Sequence, residues 1–154
     1  MPVNPIPEGY PRVTPYLSIA GAADAIDFYS KVLGATERMR MEGPPGKIGH
    51  AEIQIGDSVV MLADEDPAFG NQSPATLGGT PVSLMVYVDD VDGTYAAALA
   101  AGATELQPLE DKFYGDRAGM FADPWGHQWT VASHIEDVAP EEMERRAAEA
   151  SGAA

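Results

Sequence analysis

Two residues in this chain have the types and spacing for proton chemistry. His50 and Glu52 lie two apart in a stretch that reads as a strand, so both side chains leave the sheet on the same side. An imidazole beside a carboxylate can move a proton near neutral pH or supply two ligands to a metal. The same pair also fits a hydrogen-bonded couple on the wall of a binding cleft, and His-x-Glu alone does not choose between these readings. A second dense patch, Asp123-Pro124-Trp125-Gly126-His127-Gln128-Trp129, gathers an Asp, a His and two Trp. Its Pro and Gly suit a turn, and apolar residues alternate after it as in a strand. His127 then reads as a turn-capping or surface residue, Trp125 as a stacking or subunit-contact residue, and Trp129 as core. Asp116 and Arg117 read as an ion pair or pocket rim, and His134 as a residue near the mouth of a cleft.

Other chemistries are disfavoured by residue type. The chain has no cysteine, which removes disulfides, thiolate metal sites and Cys nucleophiles. Gly43-Pro44-Pro45-Gly46 and Gly78-Gly79 lack the Lys and following helix of a phosphate loop. A formal charge of −15 with nine Lys and Arg argues against nucleic acid and anionic membrane as partners. No stretch has the apolar length of a membrane span, and the Pro-rich start lacks a secretory pattern, so a cytoplasmic setting is expected.

The elements that position these residues follow from periodicity. Residues 1–11, with four prolines, read as an extended arm. Strand patterns cover Arg12–Ile19, Thr36–Met41, Lys47–Ile55 and Ser58–Ala63, and Ile26, Tyr29, Val32 and Leu33 mark a helix over Ala22–Leu33 ended by Gly34. A loop-rich stretch, 64–80, follows as a linker. The pattern then restarts, with a strand over Pro81–Val88, a helix over Val91–Ala101, a strand over Glu105–Leu109 and two more strands in Tyr114–His134. Residues 136–154 form a tail with a short helix beginning at Pro140.

The restart is visible in letters too. Gly34-Ala35-Thr36-Glu37 returns as Gly102-Ala103-Thr104-Glu105, and after a small gap Gly49 and Gly56 fall on Gly119 and Gly126. The fold class is therefore α+β, two tandem βαβββ modules at 12–63 and 81–135, whose curved mixed sheets carry a helix on one face and form a cleft with the other. Strand alternation assigns Thr14, Tyr16, Ser18, His50, Glu52, Gln54, Ser58, Val60, Leu62, Ser83, Met85, Tyr87, Gln128, Thr130 and His134 to the cleft face. Leu17, Ile19, Ala51, Ile53, Ile55, Val59, Met61, Val82, Leu84, Val86, Trp129 and Val131 fall on the helix-packed face.

The residues Val13-Thr14-Pro15-Tyr16-Leu17, His50-Ala51-Glu52-Ile53, Gly56-Asp57-Ser58, Tyr114-Gly115-Asp116-Arg117 and Asp123-Pro124-Trp125-Gly126-His127 resemble the vicinal oxygen chelate superfamily of glyoxalase I, bleomycin- and fosfomycin-resistance proteins and extradiol dioxygenases, and within it the PhnB-like branch. The resemblance spans about residues 10–140. It implies paired βαβββ modules and, in the enzymes, a divalent metal held by His, Gln or Glu on the first and fourth strands of each module, acting as a Lewis acid. Those positions align with Thr14, Ser83, Val60 and Thr130 here, none a usual ligand for such a metal. No metal or other cofactor is expected, and a divalent ion would need a non-standard site. The expected activity is binding of a small organic molecule, with Thr14, Tyr16, Gln54, Ser83, Met85, Tyr87, Gln128 and Thr130 lining the cleft. The alternative is a lyase, isomerase or dioxygenase-type enzyme with His50 and Glu52 catalytic and a relocated metal or none. A homodimer is expected, its cleft formed within one chain or across two.

Overall fold

The computed structural model describes residues 2–152, so the first residue of the arm and the last two of the tail lie outside the described residues. The chain divides into two compact units, one up to Thr80 and one from Pro81 onward.

The first unit contains β1 (Tyr16–Ile19), α1 (Ala22–Leu33), β2 (Thr36–Glu42), β3 (Ile48–Ile55) and β4 (Ser58–Asp64), in sheet order β1-β4-β3-β2. β1 runs parallel to β4 and the other pairs are antiparallel. The second unit repeats the plan with β5 (Ser83–Tyr87), α3 (Val91–Ala100), β6 (Thr104–Asp111), β7 (Asp116–Ala122) and β8 (Gln128–His134), in order β5-β8-β7-β6. Strand one begins later than its alternation predicts. Pro15 has no N–H for a ladder, and its carbonyl instead accepts from Met61 at 2.9 Å, just ahead of the first paired residue, Tyr16. The 64–80 stretch carries structure of its own, a 3-10 turn at Pro67–Phe69 and the short helix α2 (Pro74–Leu77). Glu65 accepts from the Ser73 backbone N–H and from the Ser73 and Thr76 hydroxyls, which fixes that segment to the end of β4. The tail helix α4 (Pro140–Ala150) is tied down by Arg146, which donates to Glu136 and to the Phe113 carbonyl.

Each sheet buries one face under its helix. In the first unit Ala25, Ile26, Phe28, Tyr29 and Val32 of α1 are buried, as are Leu17, Ile19, Ala51, Ile53, Val60 and Leu62 on the sheet. In the second, Val91, Tyr95 and Ala98 of α3 are buried with Phe121, Trp129 and Val131. Cross-strand register corrects one part of the sequence reading. Met61 pairs with both Tyr16 and Glu52, and Val59 pairs with Gln54, so Val59 and Met61 share the open face. Ser58, Val60 and Leu62, expected on the cleft face, pair with Ile55, Ile53 and Ala51 and belong to the helix side. A strand apolar on both faces has no polar–apolar alternation to fix its parity, which is why the expectation for β4 is out of phase by one residue.

The register also corrects the repeat. Glu52 pairs with Met39 and Met61, and Met120 pairs with Gln107 and Thr130, so Glu52 and Met120 are equivalent. Gly49 then corresponds to Arg117 rather than Gly119, and Thr130 has Met61 as its counterpart rather than Val60.

Two carboxylates hold the strand ends. Asp64 accepts from Gly21 and Ala22 N–H, both at 3.0 Å, and from Ile48 N–H at 2.7 Å, which caps α1 from the end of β4. Asp123 accepts from the Trp125 and His127 backbone N–H groups and from the Trp129 indole, each at 3.0 Å. The Asp-Pro-Trp-Gly-His run is thus a turn organised around one carboxylate, with Trp129 buried in the core. Replacing Asp123 by Ala leaves three donors short of their acceptor, and such a change is expected to cost about 2–4 kcal/mol. Urea unfolding followed by tryptophan fluorescence checks this, and an unchanged midpoint would contradict the role given to Asp123.

Candidate functional site

β3 lies inside its sheet, and its open face carries His50, Glu52 and Gln54. Glu52 is 4% exposed, so its charge needs donors from protein groups. His50 supplies one, Nε2 to Oε2 at 2.9 Å, and the Tyr10 hydroxyl supplies the other to Oε1 at 2.5 Å. On its far side His50 Nδ1 lies 2.8 Å from the Tyr16 hydroxyl. A neutral imidazole protonated on Nε2 satisfies all partners, since Nε2–H donates to Glu52 while Nδ1 accepts from Tyr16. The Glu52 carboxyl is held below its usual value, first by the Tyr10 hydroxyl and then by His50, against the upward pull of burial. Burial chiefly raises the Tyr16 phenol, so Tyr16 keeps its proton.

Tyr10 reaches Glu52 because the arm is not simply extended. A turn at 7–10, with Gly9 at φ 81° and Tyr10 N–H directed at the Pro7 carbonyl, brings the ring back to the sheet. Arg38 meets it there. The register of β2 jumps between Glu37 and Met39, making Arg38 the extra residue of a bulge, and its guanidinium lies 4.6 Å from the Tyr10 ring centroid.

Around this polar line the open face is lined with methionine. Met39 pairs with Glu52, Met41 with His50, and Met61 with Glu52 and Tyr16. A cleft of about 590 Å³ adjoins it, lined by Tyr16, by Gly43, Pro44 and Lys47 of the β2–β3 turn, and by Asp66, Phe69 and Asn71 of the loop after β4.

In the second unit the register puts Ser83, Met85 and Tyr87 of β5 on one face with Gln128, Thr130 and His134 of β8 and Met120 of β7. Tyr87 donates to Asp116 at 2.8 Å, and Asp116 lies 2.8 Å from His134 Nδ1. His134 Nε2 lies 2.8 Å from Asp137, so both ring nitrogens face carboxylates and both must donate. That arrangement requires the imidazolium, and hydrogen bonds to Asp116 and then Asp137 raise the His134 pKa above 6.5. Asp116 and Arg117 do not pair with each other. Arg117 points to the helix side and binds Asp92 and Asp111, as adjacent strand residues on opposite faces must diverge.

The first-strand metal positions of the related enzymes carry Thr14, which precedes β1, and Ser83. The fourth-strand positions, corrected for register, carry Met61 and Thr130. A thioether and neutral hydroxyls are poor donors for a hard or borderline divalent ion, so these positions do not fit the metal. Among the described residues no group of three or more His, Asp or Glu is arranged to hold one. Sequence reasoning missed Tyr10, Arg38, Met39 and Met41. A bulge and an arm turn carry no periodic signal, although the Gly9-Tyr10 pair in a Pro-rich arm hints at the turn.

The profile of the Glyoxalase/Bleomycin resistance protein/Dioxygenase superfamily matches residues 15–131. An uncharacterized protein of Mycobacterium tuberculosis strain H37Rv is 44% identical over 137 residues, covering 87% of this chain and 81% of its own. Protein PA1353 from Pseudomonas aeruginosa has a similar structure, with TM-score 0.67, 25% identity and coverage of 82% of this chain and 99% of its own. TioX from Micromonospora sp. ML1 gives TM-score 0.60 and 27% identity, covering 84% and 100%.

The pKa directions have opposite consequences for stability. The depressed Glu52 value adds stability above the unfolded carboxylate value, and that stability is lost as pH falls through the folded value. The raised His134 value adds stability below the usual imidazole value, and it is lost as pH rises through the folded one. Side-chain NMR titration is expected to place Glu52 below 4.5 and His134 above 6.5. Asp116→Asn is expected to bring His134 down, and a wild-type His134 midpoint at or below 6.5 would contradict the two-carboxylate clamp.

Proposed function

Because the chain belongs to the glyoxalase/bleomycin resistance protein/dioxygenase superfamily, we propose that it binds a small organic molecule on the open face of its first sheet, without the metal used by the family's enzymes. The observation that carries this reading is the methionine-lined face around the His50–Glu52 pair. Five of the chain's seven methionines, Met39, Met41, Met61, Met85 and Met120, fall on the open faces of the two sheets. Methionine is flexible and polarizable, so such a face can remould around an irregular apolar body. The polar line through Tyr16, His50 and Glu52 supplies direction, and the −15 charge favours neutral or cationic ligands over anions.

The same reading puts the chain in the PhnB-like branch, on the strength of its Asp-Pro-Trp-Gly-His turn, and makes it a cytoplasmic homodimer. No helix of the described residues is long and apolar enough to cross a membrane. A second reading, an acid–base enzyme, is favoured by one observation. Tyr16, His50 and Glu52 form a donor, a base and an orienting carboxylate in hydrogen-bonded sequence, the arrangement that activates a hydroxyl in other catalysts.

A thermal-shift screen of neutral and cationic organic compounds tests the first reading. A ligand at 100 times its Kd is expected to add about 2.7 kcal/mol of stability, and Met39→Ala or Tyr16→Phe to reduce the shift. Stabilisation by Zn, Mn or Ni alone, with none by any organic compound, would overturn it. Under the enzyme reading His50→Gln abolishes turnover of a bound compound while leaving its affinity within a few fold.

A further inference from the structure

We infer that the Tyr10 side chain is a resident stand-in for the ligand, and that the site on Glu52 and Arg38 takes a flat aromatic ring bearing a hydroxyl in its place. The inference rests on the binding reading and narrows it to a chemical class. Its basis is the way the arm meets the sheet. Residues 2–9 are exposed, and Tyr10 is the arm residue whose side chain comes down on the buried Glu52 carboxylate. The backbone adds a weak tie, Arg38 to the Gly9 carbonyl at 3.4 Å.

What Tyr10 supplies is specific. Its hydroxyl satisfies Glu52 Oε1, its face lies against the Arg38 guanidinium, and its ring stands over a sheet face where Met39 flanks Glu52. Water can replace the hydroxyl but not the ring. An incoming phenol supplies both, with no backbone segment to order, so it can displace the arm without leaving the carboxylate bare. The cation is placed by the strand rather than by the arm. The second sheet has a register shift at the equivalent point, between Glu105 and Gln107, where the extra residue is Leu106, 43% exposed. The bulge is thus a property of the repeated fold, and the guanidinium on it is a property of this site.

The alternative is that Tyr10 only locks the arm down. The experiment uses the full chain with Tyr10→Ala and 4-methylphenol, the Tyr side chain without its backbone, followed by amide NMR shifts at Arg38, His50 and Glu52. The expected result is binding about tenfold tighter to Tyr10→Ala than to wild type, with toluene, which lacks the hydroxyl, binding the variant several fold more weakly than 4-methylphenol. Glu52→Gln added to Tyr10→Ala is expected to lose the gain. If Tyr10→Ala does not fold, Tyr10→Phe loosens the arm while keeping the ring, and 4-methylphenol is expected to bind it several fold tighter than wild type and to release the arm amides. Equal affinity for wild type and variant, or equal binding of toluene, overturns the inference. A screening compound that binds the open face of the wild type without moving the Tyr10 amide, together with no 4-methylphenol binding to the variant, overturns the inference while leaving the broader binding reading intact.

Discussion

A carboxylate buried in the middle of a sheet face must have its hydrogen-bond donors brought to it, and Glu52 sets that requirement for the first unit. β3 is an interior strand, so the backbone on both sides is already used in ladders. The donors therefore come from side chains: His50 two residues away on the same strand, and Tyr10 from forty-two residues earlier. That need accounts for the turn in the arm, and the arm's return brings the Tyr10 ring to the cation on the β2 bulge. An uncompensated charge here would be more costly than any single surface contact is worth.

Much of the architecture is legible in the sequence because repeated periodicity is a global signal. Ala22–Leu33 reads as a helix to the residue, and the eight strands fall within a few residues of their patterns, since helix-ending glycines and apolar alternation agree with one another. β4 is the exception. Val59, Val60, Met61, Leu62 and Ala63 are apolar on both faces, and parity cannot be read from a strand that has no polar side. The one-residue difference moves the family's metal position from Val60 to Met61 and leaves the chemistry unchanged, because neither residue is a suitable ligand. The site is legible only in part. His50 and Glu52 announce themselves by type and spacing, but their partners depend on a bulge and a turn, features set by three-dimensional closure rather than by period.

The Asp-Pro-Trp-Gly-His-Gln-Trp motif has a structural explanation for four of its residues. Asp123 gathers two turn N–H groups and an indole, Pro124 presets the turn, Gly126 takes φ 95°, and Trp129 fills the core below α3. A motif that dense invites a catalytic reading, yet Asp123, Pro124, Gly126 and Trp129 each have a folding task. Its parallel in the first unit is Asp64, whose carboxylate likewise gathers three donors at the end of a strand, in this case all backbone N–H groups. Both are solutions to the same problem, orphan donors where a strand stops or a helix begins.

Duplication gives two copies of a frame, and function is free to differ between them. At the equivalent bulges the first unit carries Arg38 and the second Leu106; at the equivalent interior positions, Glu52 and Met120. The second unit places its ionisable cluster elsewhere, at the far end of β7 and β8, where Asp116 is buried and His134 bridges it to Asp137. There an imidazolium lies between two carboxylates, whereas at Glu52 the carboxylate meets His50 from its own strand and the Tyr10 phenol from the arm. The Tyr10 phenol is a neutral donor, so a ligand hydroxyl can take its place without breaking an ion pair, whereas a cation held between two anions cannot be exchanged in that way. In the proposed binding role the first sheet is the better host for an exchangeable guest, while the second unit's cluster anchors the chain that leads to α4.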